Sequence, residues 1–82
     1  MYYDELKTHR ITARLKIATL ARMCGVNRAT IARIEKHHPT TIETGSIIVD
    51  KLNEHYFAKP WRGALEPNAV LTKKSRFGNT EE

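Results

Sequence analysis

The run IATLARMCGVNRATIARIEK, from Ile17 to Lys36, limits the possible folds more than any other part of the chain. Leu20, Ala21 and Cys24 stand at i, i+1 and i+4, which gathers them on one face of a helix from about Lys16 to Cys24. A face that short needs a partner. Ile31 and Ile34 provide it from a second helix, Arg28 to Lys36, with Val26 closing the wedge between the two. Ala21 carries only a methyl group and lets the helices cross closely. Gly25 suits the left-handed turn that ends the first helix, and Asn27 suits the N-cap of the second. Two short helices joined this tightly read as a helix-turn-helix. A plain helical hairpin in a small bundle would use similar residues. It does not require Leu20, Ala21, Cys24, Gly25, Val26, Ile31 and Ile34 all at these positions.

With Ile31 and Ile34 facing inward, the outer side of the second helix presents Arg28, Ala29, Arg33 and Lys36. That stripe is basic and holds no acid, as a helix entering the major groove of double-stranded DNA requires. Arg28 and Arg33 can each donate two hydrogen bonds to guanine O6 and N7, and Ala29 offers a methyl surface to thymine. The alternative for each arginine is a solvated or phosphate-bound charge. Asn27, at the helix entrance, can read adenine, bond a phosphate or simply cap. Thr30 is a further candidate for phosphate contact, and His37 with His38 would lie in the loop beyond the reading helix, near the backbone. Glu35 is off the stripe and is expected to pair with a base in the first helices.

The segment LARMCGVNRATIARIE, Leu20 to Glu35, resembles the helix-turn-helix core of the Cro and phage-repressor superfamily, the lambda repressor-like regulators. More weakly, the resemblance reaches from Asp4 to Tyr56. It implies a compact all-α domain of four to five helices that regulates transcription by binding DNA. Many members open the first motif helix with a glutamine that bonds a phosphate. Here that phosphate-contact position is Ile17, whose side chain forms no such bond, so anchoring passes to Arg14 or Lys16.

A chain of 82 residues is one domain with a small core, often completed by self-association. The net charge is +5 and unevenly spread: Lys7 to Lys36 carries +7, while His37 to Ala58 carries −2. The charge therefore sits on the half with the basic stripe. RNA or an acidic membrane could also attract it. The aromatic-rich sheet signatures of common RNA modules are missing, as are an exposed Lys-rich amphipathic helix and any apolar run near 18 residues, so no membrane partner is expected. With no signal peptide and a single cysteine, a cytoplasmic protein is expected, with Cys24 a buried core residue. His9, His37, His38 and His55 lack zinc-site spacing. The acids are scattered and the glycines form no phosphate loop. Neither a metal, a cofactor nor an enzymatic activity is expected.

Elsewhere the sequence predicts a first helix from Tyr2 to about Ala13, with Leu6, Tyr3 and the Arg10 stem facing inward. Pro39 stops the reading helix, and Thr40 with Glu43 has capping-box spacing. A helix over Thr41 to Tyr56 follows, with Ile42, Ile48, Val49, Leu52 and Tyr56 on its apolar stripe. Gly45 either splits this helix or admits a close neighbour. Ile47 and Phe57 fall off the stripe and, with Trp61 and Leu65, are candidates for a dimer surface. The DNA-binding domain then spans residues 1–57, and 58–82 form an irregular or short-strand extension. In that extension Pro60, Gly63 and Pro67 exclude a long helix, and Trp61 and Leu65 anchor onto the domain or a second subunit. Asn68 to Thr72 read as one short strand, which some Cro-like proteins use to pair subunits. Lys73 to Glu82 read as a disordered tail, leaving Lys73, Lys74 and Arg76 to add non-specific attraction to DNA. The expected function is a sequence-specific transcriptional regulator, a phage- or plasmid-type repressor acting as a homodimer on a palindrome. The alternatives are an antitoxin with a toxin partner, a restriction-system controller protein and a pure protein-interaction module. Without a ligand domain, induction would fall to an antirepressor protein or a rival repressor.

Overall fold

Helices α1 (Leu6–Thr12), α2 (Ile17–Cys24) and α3 (Arg28–Glu35) all end the same way. Just past the last turn of each, one residue turns left-handed: Arg14 at φ 60°, Gly25 at 69° and His37 at 68°. Its own amide and the next one then bond back into the last turn. Leu15 N–H donates to Arg10, Val26 N–H to Ala21 and His38 N–H to Arg33, at 3.0–3.1 Å. This is the Schellman arrangement, which satisfies carbonyls that a helix end would leave bare. Only Gly25 adopts it without steric cost; Arg14 and His37 do so against the preference of a side chain.

The computed structural model describes residues 1–57, 65 and 70–75. Among them the fold is all-α, completed by α4 (Ile42–Phe57), and the single β pairing is an antiparallel bridge between Tyr2 and Thr72. No described helix is long and apolar enough to cross a membrane.

The predicted inward residues meet in one core. Leu20, Ala21 and Cys24 from α2 pack on Ile31 and Ile34 from α3, and Ile48, Val49 and Leu52 from α4 close the far side. Leu20, Ile31, Ile48, Val49 and Leu52 are completely shielded from water. Each such side chain contributes about 1.5–3 kcal/mol through burial. Val26 and Ile17 pack half-buried at the margin.

Several expectations shift. Helix α1 starts at Leu6 instead of Tyr2, because Met1 and Tyr2 are extended. Thr40 N–H donates to the Met1 carbonyl at 2.6 Å, and Tyr2 exchanges two backbone bonds with Thr72 at 2.7 and 2.9 Å. The cap of α4 is Thr41, not Thr40: its hydroxyl accepts from Thr44 N–H at 3.1 Å, while Thr40 is occupied with Met1. Ile42 shares the side of Gly45 and Val49 but opens the helix, one turn before the first buried position. It is 46% exposed and so not part of the core stripe.

The described residues beyond 57 pack onto the helical domain. Leu65, Val70 and Leu71 are buried in the same core. Asn53 on α4 holds Leu65 through both ends of its amide, donating to the Leu65 carbonyl at 2.9 Å and accepting from its N–H at 2.6 Å. Gly45 does not split α4. A side chain there would come within 2.8 Å of the Leu71 methyl carbons, so the glycine is what lets Leu71 lie against the helix. Gly45→Leu should therefore lower the urea midpoint by an amount worth about 1–3 kcal/mol, despite leucine's better helix propensity. A raised midpoint would show that Leu71 does not seat there.

Candidate nucleic-acid interface

The outer face of α3 is built from its inner one. Ile31 and Ile34 hold the helix to α2, and the same rotation leaves Arg28, Ala29, Arg33 and Lys36 exposed. Among the described residues no carboxylate pairs with Arg28, Arg33 or Lys36, so their charge faces outward undiminished. Asn27 caps the helix: its side-chain oxygen accepts from Ala29 N–H at 2.8 Å. Of its three sequence-level roles, this is the one the geometry supplies, at the exposed entrance of α3.

Glu35 pairs with a base in the first helix, as its position off the stripe suggests. Arg10 Nε and a terminal nitrogen donate to both Glu35 oxygens at 2.5 and 3.1 Å, while the remaining nitrogen donates to the Leu15 carbonyl at 2.9 Å. Both side chains are nearly buried, 12% and 8% exposed. One guanidinium thus ties α1, the α1–α2 turn and α3 together. Its planar fork matches the carboxylate in a way a lysine could not.

Arg14 and Lys16 are exposed on the turn before α2 and are free to reach a neighbouring phosphate. Ile17 packs its side chain against the core. The phosphate contact expected at Ile17 is therefore left to its backbone amide. The first turn of α2 has no capping side chain, so its leading amides face outward.

Thr30 is half-buried and lines a groove of about 540 Å³ between α3 and the start of α4, together with Arg33, His38, Thr41 and Thr44. The groove is rimmed by hydroxyls and two potential cations. His37 does not join it. Its left-handed backbone brings Nδ1 within 3.3 Å of Asp4 Oδ1, an intramolecular partner in place of the expected phosphate. His38, its neighbour, is on the groove instead.

The other histidines have separate partners. His9 Nδ1 is 2.7 Å from the Tyr3 hydroxyl, and burial lowers its pKa against the opposing pull of Glu5. His55 Nε2 donates to the Ala13 carbonyl at 2.7 Å. Among the described residues no group of three or more His, Cys, Asp or Glu could hold a metal. Cys24 is buried, and desolvation pushes its pKa up to about 11, which keeps the thiol protonated.

The residues expected at a dimer surface divide. Ile47 is 43% exposed on the outer face of α4, where Glu43, Asp50 and Glu54 are also exposed. Leu65 is a correction: it is buried in its own subunit's core under Asn53, so it is not available to a second copy. Trp61 and the side chain of Phe57 lie outside the described residues. The strand expected over Asn68 to Thr72 is not seen among the described residues: Val70 is helical and only Thr72 pairs, in an isolated bridge to Tyr2 of the same chain. The tail expected to be disordered from Lys73 is held at Ser75, whose hydroxyl donates to Asp4 Oδ1 at 2.7 Å. Asp4 was invisible in the sequence, since its partners are 33 and 71 residues away.

No protein-family model, curated protein or solved structure matches the chain.

Proposed function

We propose that this chain is a sequence-specific DNA-binding transcriptional regulator, a repressor of the phage or plasmid type, that inserts α3 into the major groove. The observation that carries the reading is the outer face of α3. It is basic, exposed and unpaired with carboxylates, on a helix held rigidly from behind by Ile31, Ile34 and the Arg10–Glu35 pair. Arg28 and Arg33 read guanine, Ala29 meets thymine methyls, and Lys36 reaches base or phosphate near the end of the helix. Arg14, Lys16, the amides at Ile17, and Thr30 bond the sugar-phosphate backbone. A helix of this length spans only a few base pairs, so two copies on an inverted repeat about 34 Å apart supply the rest. The acidic outer face of α4 is repelled by DNA and leaves Ile47 for the second copy. Promoter occupancy then excludes polymerase.

Selection of bound sequences from random duplexes tests the whole reading, and an inverted repeat is the expected product. On the selected site, Arg33→Ala should cost about 1–3 kcal/mol of binding while changing affinity for random DNA little. Equal losses on both would remove Arg33 from base reading. Enrichment of no sequence, with a small protein co-purifying instead, would favour the interaction-module or antitoxin alternatives.

A further inference from the structure

The carboxylate of Asp4 is 3% exposed and joins two parts of the chain that are far apart in sequence. His37 Nδ1 and the Ser75 hydroxyl both approach the same oxygen, at 3.3 and 2.7 Å, so these two side chains are within about 6 Å of each other. The backbone leading to Ser75 is held as well. Tyr2 pairs with Thr72 in both directions, and the Thr72 hydroxyl donates to the Lys74 carbonyl at 2.5 Å. The segment carrying Lys73 and Lys74 is therefore tied, through Ser75 and Asp4, to His37 just past the C-terminal end of α3. Lys36, His38, Lys73 and Lys74 are all exposed, while Asp4 is turned inward.

We infer that Lys36, His38, Lys73 and Lys74 together form a positioned phosphate-binding margin that grips the DNA backbone where α3 leaves the groove. The inference rests on the DNA-binding reading. It differs from it in making the C-terminal lysines part of the docking geometry, fixed through Ser75, Asp4 and His37, rather than a loose charged tail. Cations at this end of α3 also complement the helix dipole. A purely structural role of that kind needs no ligand and would leave binding untouched when the lysines are removed.

Each lysine that neutralises a phosphate steepens the fall of log affinity with log salt by about 0.9. In the full-length chain, Lys73→Ala/Lys74→Ala should flatten that slope by about 1–2 and weaken binding to selected and random duplexes alike. Both side chains are exposed, so its melting temperature should match the wild type. Ser75→Ala changes no charge, yet should weaken binding several-fold, and Ser75→Thr, which keeps the hydroxyl, should restore it. An unchanged slope in the lysine variant overturns the inference while leaving the α3 reading intact. A weakened lysine variant with a fully active Ser75→Ala also overturns it, because the lysines would then act from a free tail. Failure of the wild type to bind any duplex overturns both readings.

Discussion

Glu35→Ala should destabilise the chain by about 3–5 kcal/mol, enough to leave much of it unfolded at ordinary temperatures. The loss exceeds that of an ordinary ion pair because the substitution leaves Arg10 nearly buried and without its carboxylate. Two of the five guanidinium N–H groups lose their acceptor, while the bond to the Leu15 carbonyl remains. Desolvation of a charge that stays unpaired dominates the balance. Replacing both partners with apolar residues, Arg10→Met with Glu35→Leu, should recover most of the loss, since neither charge is then stranded. Urea unfolding followed by circular dichroism reads both variants. A Glu35→Ala midpoint near that of the wild type would mean water reaches the pair freely.

Ile31→Ala carries the second large effect, about 2–5 kcal/mol, from lost burial and the cavity left behind. Ile31 is completely shielded where α3 meets α2. Ile11, 55% exposed on α1, provides the contrast: the same substitution there should stay within about 0.5 kcal/mol. Ile31→Ala and Arg33→Ala also separate the two faces of α3. The first should lower the melting temperature and lose binding only as folding is lost; the second should lose binding with the melting temperature unchanged. An Arg33→Ala variant that melts early would place Arg33 in the fold instead of the interface.

The α2–turn–α3 unit was legible because its determinants are local. Gly25 ends α2, Asn27 caps α3, and the inward residues of both repeat at helical spacing, so the observed bounds differ from the expected ones by a single residue at one end of each helix. Periodicity fixes which side of α3 is buried, and with it which side is basic. Glu35 was assignable for the same reason: a lone acid off a basic stripe needs a cation inside the domain.

What failed to read from the sequence depends on segments that meet only after folding. The start of α1, the shift of the cap to Thr41 and the redirected His37 all trace to Met1–Asp4 lying between the α3–α4 loop and residues 72–75. Leu65 was a plausible dimer contact until Asn53, twelve residues away on α4, captured its backbone. Gly45 announced a close neighbour without naming it, since a missing side chain marks space but not what fills it. Sequence alone therefore determined the helix pair and its outward charge, which follow from caps and from 3.6-residue periodicity over a few turns. The tertiary structure decided how the chain ends lock onto the end of α3. Those contacts join residues up to 71 apart, and no local periodicity encodes their energy.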